Sequence, residues 1–116
     1  MAERLKPTII SEAQITALVE AIRTRLLTLC KPRLVYLFGS AAEGRATALS
    51  DIDICVIFHS RNELKQNKKR ILCEFPVEDV PVDWVLLDEE TFNKKKDVGG
   101  VCFDIHKYGK VIYQDR

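Results

Sequence analysis

One segment constrains this chain more than any other: Tyr36 to Phe58, YLFGSAAEGRATALSDIDICVIF. An apolar run, Leu34 to Phe38, stops at Gly39-Ser40, and ten residues later Asp51-Ile52-Asp53 opens a second apolar run that ends at Phe58. Both runs are rich in strand formers and short enough to be strands. The second is apolar on both faces beyond its first carboxylates, as in a central strand covered on both sides. Glycine at the end of the first strand lets backbone come close to a ligand. Ser40 can open a short helical turn, whose hydroxyl and free N–H groups suit phosphate. Asp51 and Asp53, two residues apart on a strand, point to the same face.

The rest of the chain supplies a frame for that segment. Ser11 with Gln14 reads as a capping box, and Ile15, Leu18, Val19, Ile22, Leu26 and Leu29 recur at helical spacing behind it. A helix is therefore expected from Ser11 to Leu29, ended by Lys31-Pro32. Ser60 with Glu63 reads as a second capping box, opening a basic helix to about Phe75 that carries Lys65, Lys68, Lys69 and Arg70. Pro76 and Pro81 bracket a loop, and Val82 to Leu87 is a third strand. A helical turn over Asp88 to Asn93, a short helix between Asp97 and Tyr108 capped by Gly109, and a last strand at Val111 to Tyr113 complete the series. Residues 1–116 thus read as one α/β domain, a small mixed sheet of about four strands flanked by helices.

Two carboxylates side by side at the end of a buried strand repel each other, and a divalent cation removes that cost. Hard oxygen ligands suit Mg²⁺, which takes one or two carboxylates plus substrate phosphates. Asp83, the one acid inside the apolar run from Val82 to Leu87, is the candidate third carboxylate. Three acids would serve a two-metal site with ions about 3.5–4 Å apart. Taken singly, each feature has a plainer account: strand-end caps for Asp51 and Asp53, a simple turn for Gly39-Ser40, an edge-strand acid facing solvent for Asp83. Their joint occurrence in this order favours the site. His59 and His106 stand without ligand spacing, and Trp84 should point to the face opposite Asp83. Lys94-Lys95-Lys96 reads as a solvated run, with the alternative that it and the basic face of the second helix meet an acidic partner.

Composition narrows the class. Eighteen basic residues against 17 acidic give a formal charge of +1, which argues against holding nucleic acid on a broad basic surface. Cys30, Cys55, Cys73 and Cys102 form no C-x-x-C pair and read as reduced thiols in a cytoplasmic protein. The opening residues lack a signal-peptide pattern, and no apolar run approaches the roughly 20 residues of a membrane span.

The motif Phe38-Gly39-Ser40, a spacer containing Gly44, and Ser50-Asp51-Ile52-Asp53 resembles the signature of the nucleotidyltransferases related to DNA polymerase beta, most closely the minimal nucleotidyltransferase proteins. The tail HKYGKVIYQDR resembles that family's closing helix, glycine and short strand. The resemblance implies the polymerase beta-like nucleotidyltransferase fold and Mg²⁺, two ions, on Asp51, Asp53 and Asp83. It implies ATP as donor, its β- and γ-phosphates on Gly39 and Ser40, and Asp83 as acceptor of the proton from an attacking hydroxyl. Relatives often carry basic residues where this chain has Ala41 and Glu43, and Pro-Asp where it has Ala48-Leu49. Arg45, in the same loop, is the residue that can pair with phosphate instead.

The length leaves no room for the acceptor lobe of larger relatives, or for a polymerase's fingers and thumb. By resemblance the acceptor is a tyrosine of a helical HEPN partner, which AMP transfer would neutralise, making this chain an antitoxin. An apolar surface for that partner or for a second copy is then expected. The alternatives are the catalytic chain of a two-chain antibiotic or small-molecule nucleotidyltransferase, and a non-catalytic partner-binding module.

Overall fold

The computed structural model describes residues 11–46, 51–75 and 82–115. Ser50, Pro76 and Pro81, singled out above, lie outside the described residues.

Helix α1 spans Glu12–Leu29, with both halves of the capping box formed between Ser11 and Gln14. Ile15, Val19, Ile22 and Leu26 make its buried stripe. Cys30 caps its end in an extended conformation, and the buried Pro32 turns the chain into β1, Leu34–Phe38. A short helix α2, Gly39–Ala42, follows at once and is pinned by burial of Ala41 and Ala42. Strand β2, Ile52–Phe58, leads to α3, Arg61–Glu74. At Ser60 the expected capping box is only half made: its hydroxyl accepts from the Glu63 N–H at 3.2 Å, and no bond returns from the Glu63 side chain among the described residues. A single side-chain cap suffices because this helix gains its stability from Ile71, fully buried against the sheet.

Strand β3, Val82–Asp88, runs directly into α4, Glu89–Lys95, and then α5, Gly100–Tyr108, and β4, Lys110–Gln114. Asp88 is the N-cap of α4, accepting from the Thr91 N–H at 3.0 Å and the Thr91 hydroxyl at 2.8 Å. Gly109 does cap α5, its N–H bonding Ile105 at 2.9 Å, but with φ −73 rather than a left-handed turn. It is glycine for lack of space: a β-carbon would run into the Ile105 carbonyl and lie 3.1 Å from the Tyr36 ring.

The sheet order is β3-β2-β1-β4. β1 is antiparallel to β2 and β4, and β2 is parallel to β3, with α3 as the crossover. Alternation along the strands sorts the core into two layers. Val35, Leu37, Ile54, Val56 and Phe58 face α1 and α3, while Tyr36, Cys55 and Ile57 meet Phe92, Cys102 and Ile105 of α4 and α5. Trp84 belongs to the first layer, tilted against Phe75 at 4.9 Å, on the face opposite Asp83 as expected. β2 is central. β3 is an edge strand and Asp83 is exposed on it, so its placement is the edge-strand one that the sequence also allowed. Its strand is apolar because Val82, Trp84 and Leu86 pack on the α3 side and Val85 and Leu87 on the side of α4 and α5, not because both edges are paired. Among the described residues no helix is long and apolar enough to cross a membrane.

Candidate active site

The sheet register assembles the acids. Asp53 lies opposite Phe38 of β1 and beside Asp83 of β3. In-register neighbours share a face, so the two carboxyls stand together on the side covered by α4 and α5. Asp51 enters from the residue just before β2. Asp51 and Asp83 are exposed and Asp53 is half-buried between them, so the cluster is open to a ligand.

The electrostatics follow from that placement. The Asp53 carboxyl is pushed up to about 6, first by burial, then by the charges of Asp83 and Asp51, and by hydrogen bonding with Asp83. Among the described residues no cation offsets this repulsion, which is what a divalent ion would relieve.

Gly39 closes the site from the other side. It takes φ 70 between β1 and α2, and a β-carbon there would collide with the Asp53 carboxylate and lie 3.0 Å from its Cγ. The absence of a side chain is therefore required twice, by the backbone conformation and by the contact. Ser40, the second residue of α2, is half-buried next to it. Arg45 sits in the turn after α2, with its guanidinium on Glu43 at 2.8 Å. Both side chains are largely exposed, at 65% and 45%, so this pair is a weak tether.

Among the described residues no group of three His, Cys, Asp or Glu side chains forms a metal cage by itself. The donor set nevertheless suits Mg²⁺: hard carboxylate oxygens, clustered and open on one side, leave coordination positions for substrate phosphates and water. Cys55, two residues along β2 on the same face, is fully buried, and burial pushes its thiol up, away from a soft thiolate ligand.

A cavity of ≈330 Å³ adjoins Gly39, lined by Phe38, Glu43 and, from α5, Val101, Asp104 and Tyr108. The α5 residues are exposed there, Tyr108 at 56%. Sequence reasoning missed them, because only the packing of α5 against β1 and α2 brings them beside Gly39. A larger hollow of ≈750 Å³ lies between α1, α2 and β4, and neither cavity is lined by any of the three acids.

The sequence pattern of the nucleotidyltransferase domain matches residues 19–112. Among solved structures, the chain is similar to a candidate nucleotidyltransferase from Sulfolobus solfataricus, with TM-score 0.60, 22% identity, and coverage of 89% of this chain and 83% of that one. That likeness is one of fold. A toxin–antitoxin structure with AMP-PNP gives TM-score 0.47 at 21% identity, covering 92% of this chain and 76% of the other. A mutant of the toxin–antitoxin MntA-HpeT gives 0.46 at 20% identity, with the same coverage. No curated protein matches the chain.

Proposed function

Since this chain belongs to the nucleotidyltransferase domain family, we propose that it transfers a nucleoside monophosphate, AMP from ATP, to a hydroxyl of a protein acceptor. The observation that carries this reading is the register that sets Asp53 beside Asp83, with Gly39 bare against the Asp53 carboxylate.

Asp51 and Asp53 would hold Mg²⁺, and Asp83 would share a second ion. When bound, magnesium neutralises phosphate charge and stabilises the pyrophosphate that leaves. Gly39 keeps the space above Asp53 free for the phosphate chain, and Ser40 offers its hydroxyl and N–H as donors. Asp83, exposed beside Asp53, takes the proton from the acceptor hydroxyl as that oxygen attacks the α-phosphorus in line. The residues act by positioning and charge placement, with no covalent intermediate.

The acceptor favoured by the family resemblance is a tyrosine of a helical HEPN protein, which would make the chain an antitoxin. The open cavity edged by Tyr108 and Val101 next to Gly39 supports an acceptor that arrives from outside the domain. One observation favours a non-catalytic partner-binding module instead: the one cation of the Gly39 loop, Arg45, is drawn to Glu43. Product analysis separates the readings. The chain is incubated with α-labelled ATP, Mg²⁺ and either a HEPN protein or an aminoglycoside. Label on a tyrosine supports the proposal, and label on the small molecule replaces it with the two-chain enzyme. Tight binding of the HEPN protein with no label on either acceptor supports the module.

A further inference from the structure

The outer edge of β3 pairs with no other strand among the described residues. Natural edges are blunted by lysine, proline, bulges or a covering element. Between Asp83 and Asp88 this strand has only Trp84, Val85, Leu86 and Leu87, all half-buried.

A basic row runs beside that edge. Helix α3 carries five cations against two acids, Glu63 and Glu74. Arg70 donates to the Leu29 carbonyl at 2.9 Å and Glu74 meets Arg25, both toward α1, while Ile71 is buried on the sheet. At 100° per residue, the flank of α3 opposite α1 therefore carries Arg61, Lys65, Lys68 and Leu72. All four are exposed. Arg61 lies close enough to Asp88, the last residue of β3, for its charge to act on that carboxyl. At the other end, Phe75 just past α3 packs on Trp84, next to Asp83. The three cations thus follow β3 for about 10 Å from Asp88, and the flank continues through Leu72 toward the candidate site.

We propose that the outer edge of β3, unpaired among the described residues, and the Arg61–Lys65–Lys68 row dock an extended acidic segment of the acceptor protein, added as a strand and leading its acceptor hydroxyl to Asp83. This rests on the protein-acceptor reading above. Backbone pairing supplies affinity and the cations select acidic side chains. A second copy is disfavoured. Paired antiparallel about a two-fold axis normal to the sheet, it would lay its own basic row beside the first on the same face. A nucleic acid would satisfy the cations but not the alternating N–H and C=O groups of the strand.

The test is an amide chemical-shift titration of the full chain, without nucleotide, using a synthetic peptide that alternates glutamate with valine and carries one tyrosine. Shifts should concentrate in Val82–Asp88, and the double variant Lys65→Glu/Lys68→Glu should bind about tenfold more weakly. The same peptide N-methylated at alternate residues should not bind. Shifts away from β3, undiminished affinity in the variant, equal binding of the N-methylated peptide, dimerisation through β3, or single-stranded RNA binding the row in place of the peptide would each overturn the proposal. Because no nucleotide is present, a failure of catalysis leaves this result readable.

Discussion

The α-carbon of Gly39 faces the carboxylate of Asp53 so closely that a β-carbon would collide with it. This contact joins the end of β1 to the start of β2 and leaves the Asp53 carboxyl uncovered on one side. Gly39→Ala should therefore destabilise the fold by about 1–3 kcal/mol through its positive φ. It should also abolish transfer, because the Asp53 side chain must move. Denaturant midpoints and transfer rates on the same preparation test both parts.

Asp53 is crowded by two other acids and gains from their neutralisation. Asp53→Asn should leave the metal-free protein as stable as wild type or more so, since it removes repulsion in the cluster. It should also remove the rise in melting temperature that Mg²⁺ gives the wild type. Thermal melts with and without Mg²⁺ read both effects, and a variant still stabilised by the ion would remove Asp53 from the ligand set.

Asp88 gives a pH signature far from the site. Hydrogen bonds from the Thr91 N–H and hydroxyl hold its carboxyl below the ordinary value of 3.8. A depressed carboxyl contributes stability that is present above its unfolded value and is lost as pH falls through the folded one. Asp88→Ala should cost about 1 kcal/mol near neutral pH, with the difference from wild type shrinking in acid below about pH 4. Urea unfolding over a pH series measures it.

Arg45 offers the loop's only guanidinium, and its bond to Glu43 is exposed. Arg45→Ala should leave the melting temperature within the range of an exposed pair, under about 1 kcal/mol. It should raise the KM for nucleotide several-fold if the side chain swings to phosphate on binding. An unchanged KM would leave Arg45 as surface charge.

Local chemistry made parts of this architecture legible. Pro32 and Gly39 bracket β1, and Ser11 with Gln14 announces α1, so those bounds follow from side chains adjacent in the chain. The face of Asp53 follows from the two-residue strand repeat, while Asp51 lies one residue before β2 and outside that repeat. What was not readable depends on distant packing. Placing β4 beside β1 leaves β3 as an edge and exposes Asp83, and no residue near Asp83 encodes that order. Val101, Asp104 and Tyr108 reach the Gly39 cavity only through the seating of α5. The Asp88 cap did have a local signal, the Asp-x-x-Thr pattern to Thr91, which the apolar run before it obscured.

The role proposed for Asp51, Asp53 and Asp83 is that of a magnesium-dependent nucleotidyl-transfer centre. The most direct measurement compares ATP labelled on the α-phosphate with ATP labelled on the γ-phosphate, using wild type and Asp53→Asn, with Mg²⁺ and the acceptor protein present. The account predicts α-label on the acceptor and γ-label in released pyrophosphate for wild type, and neither for Asp53→Asn. Gamma-label on the acceptor, or equal transfer by the variant, would contradict it.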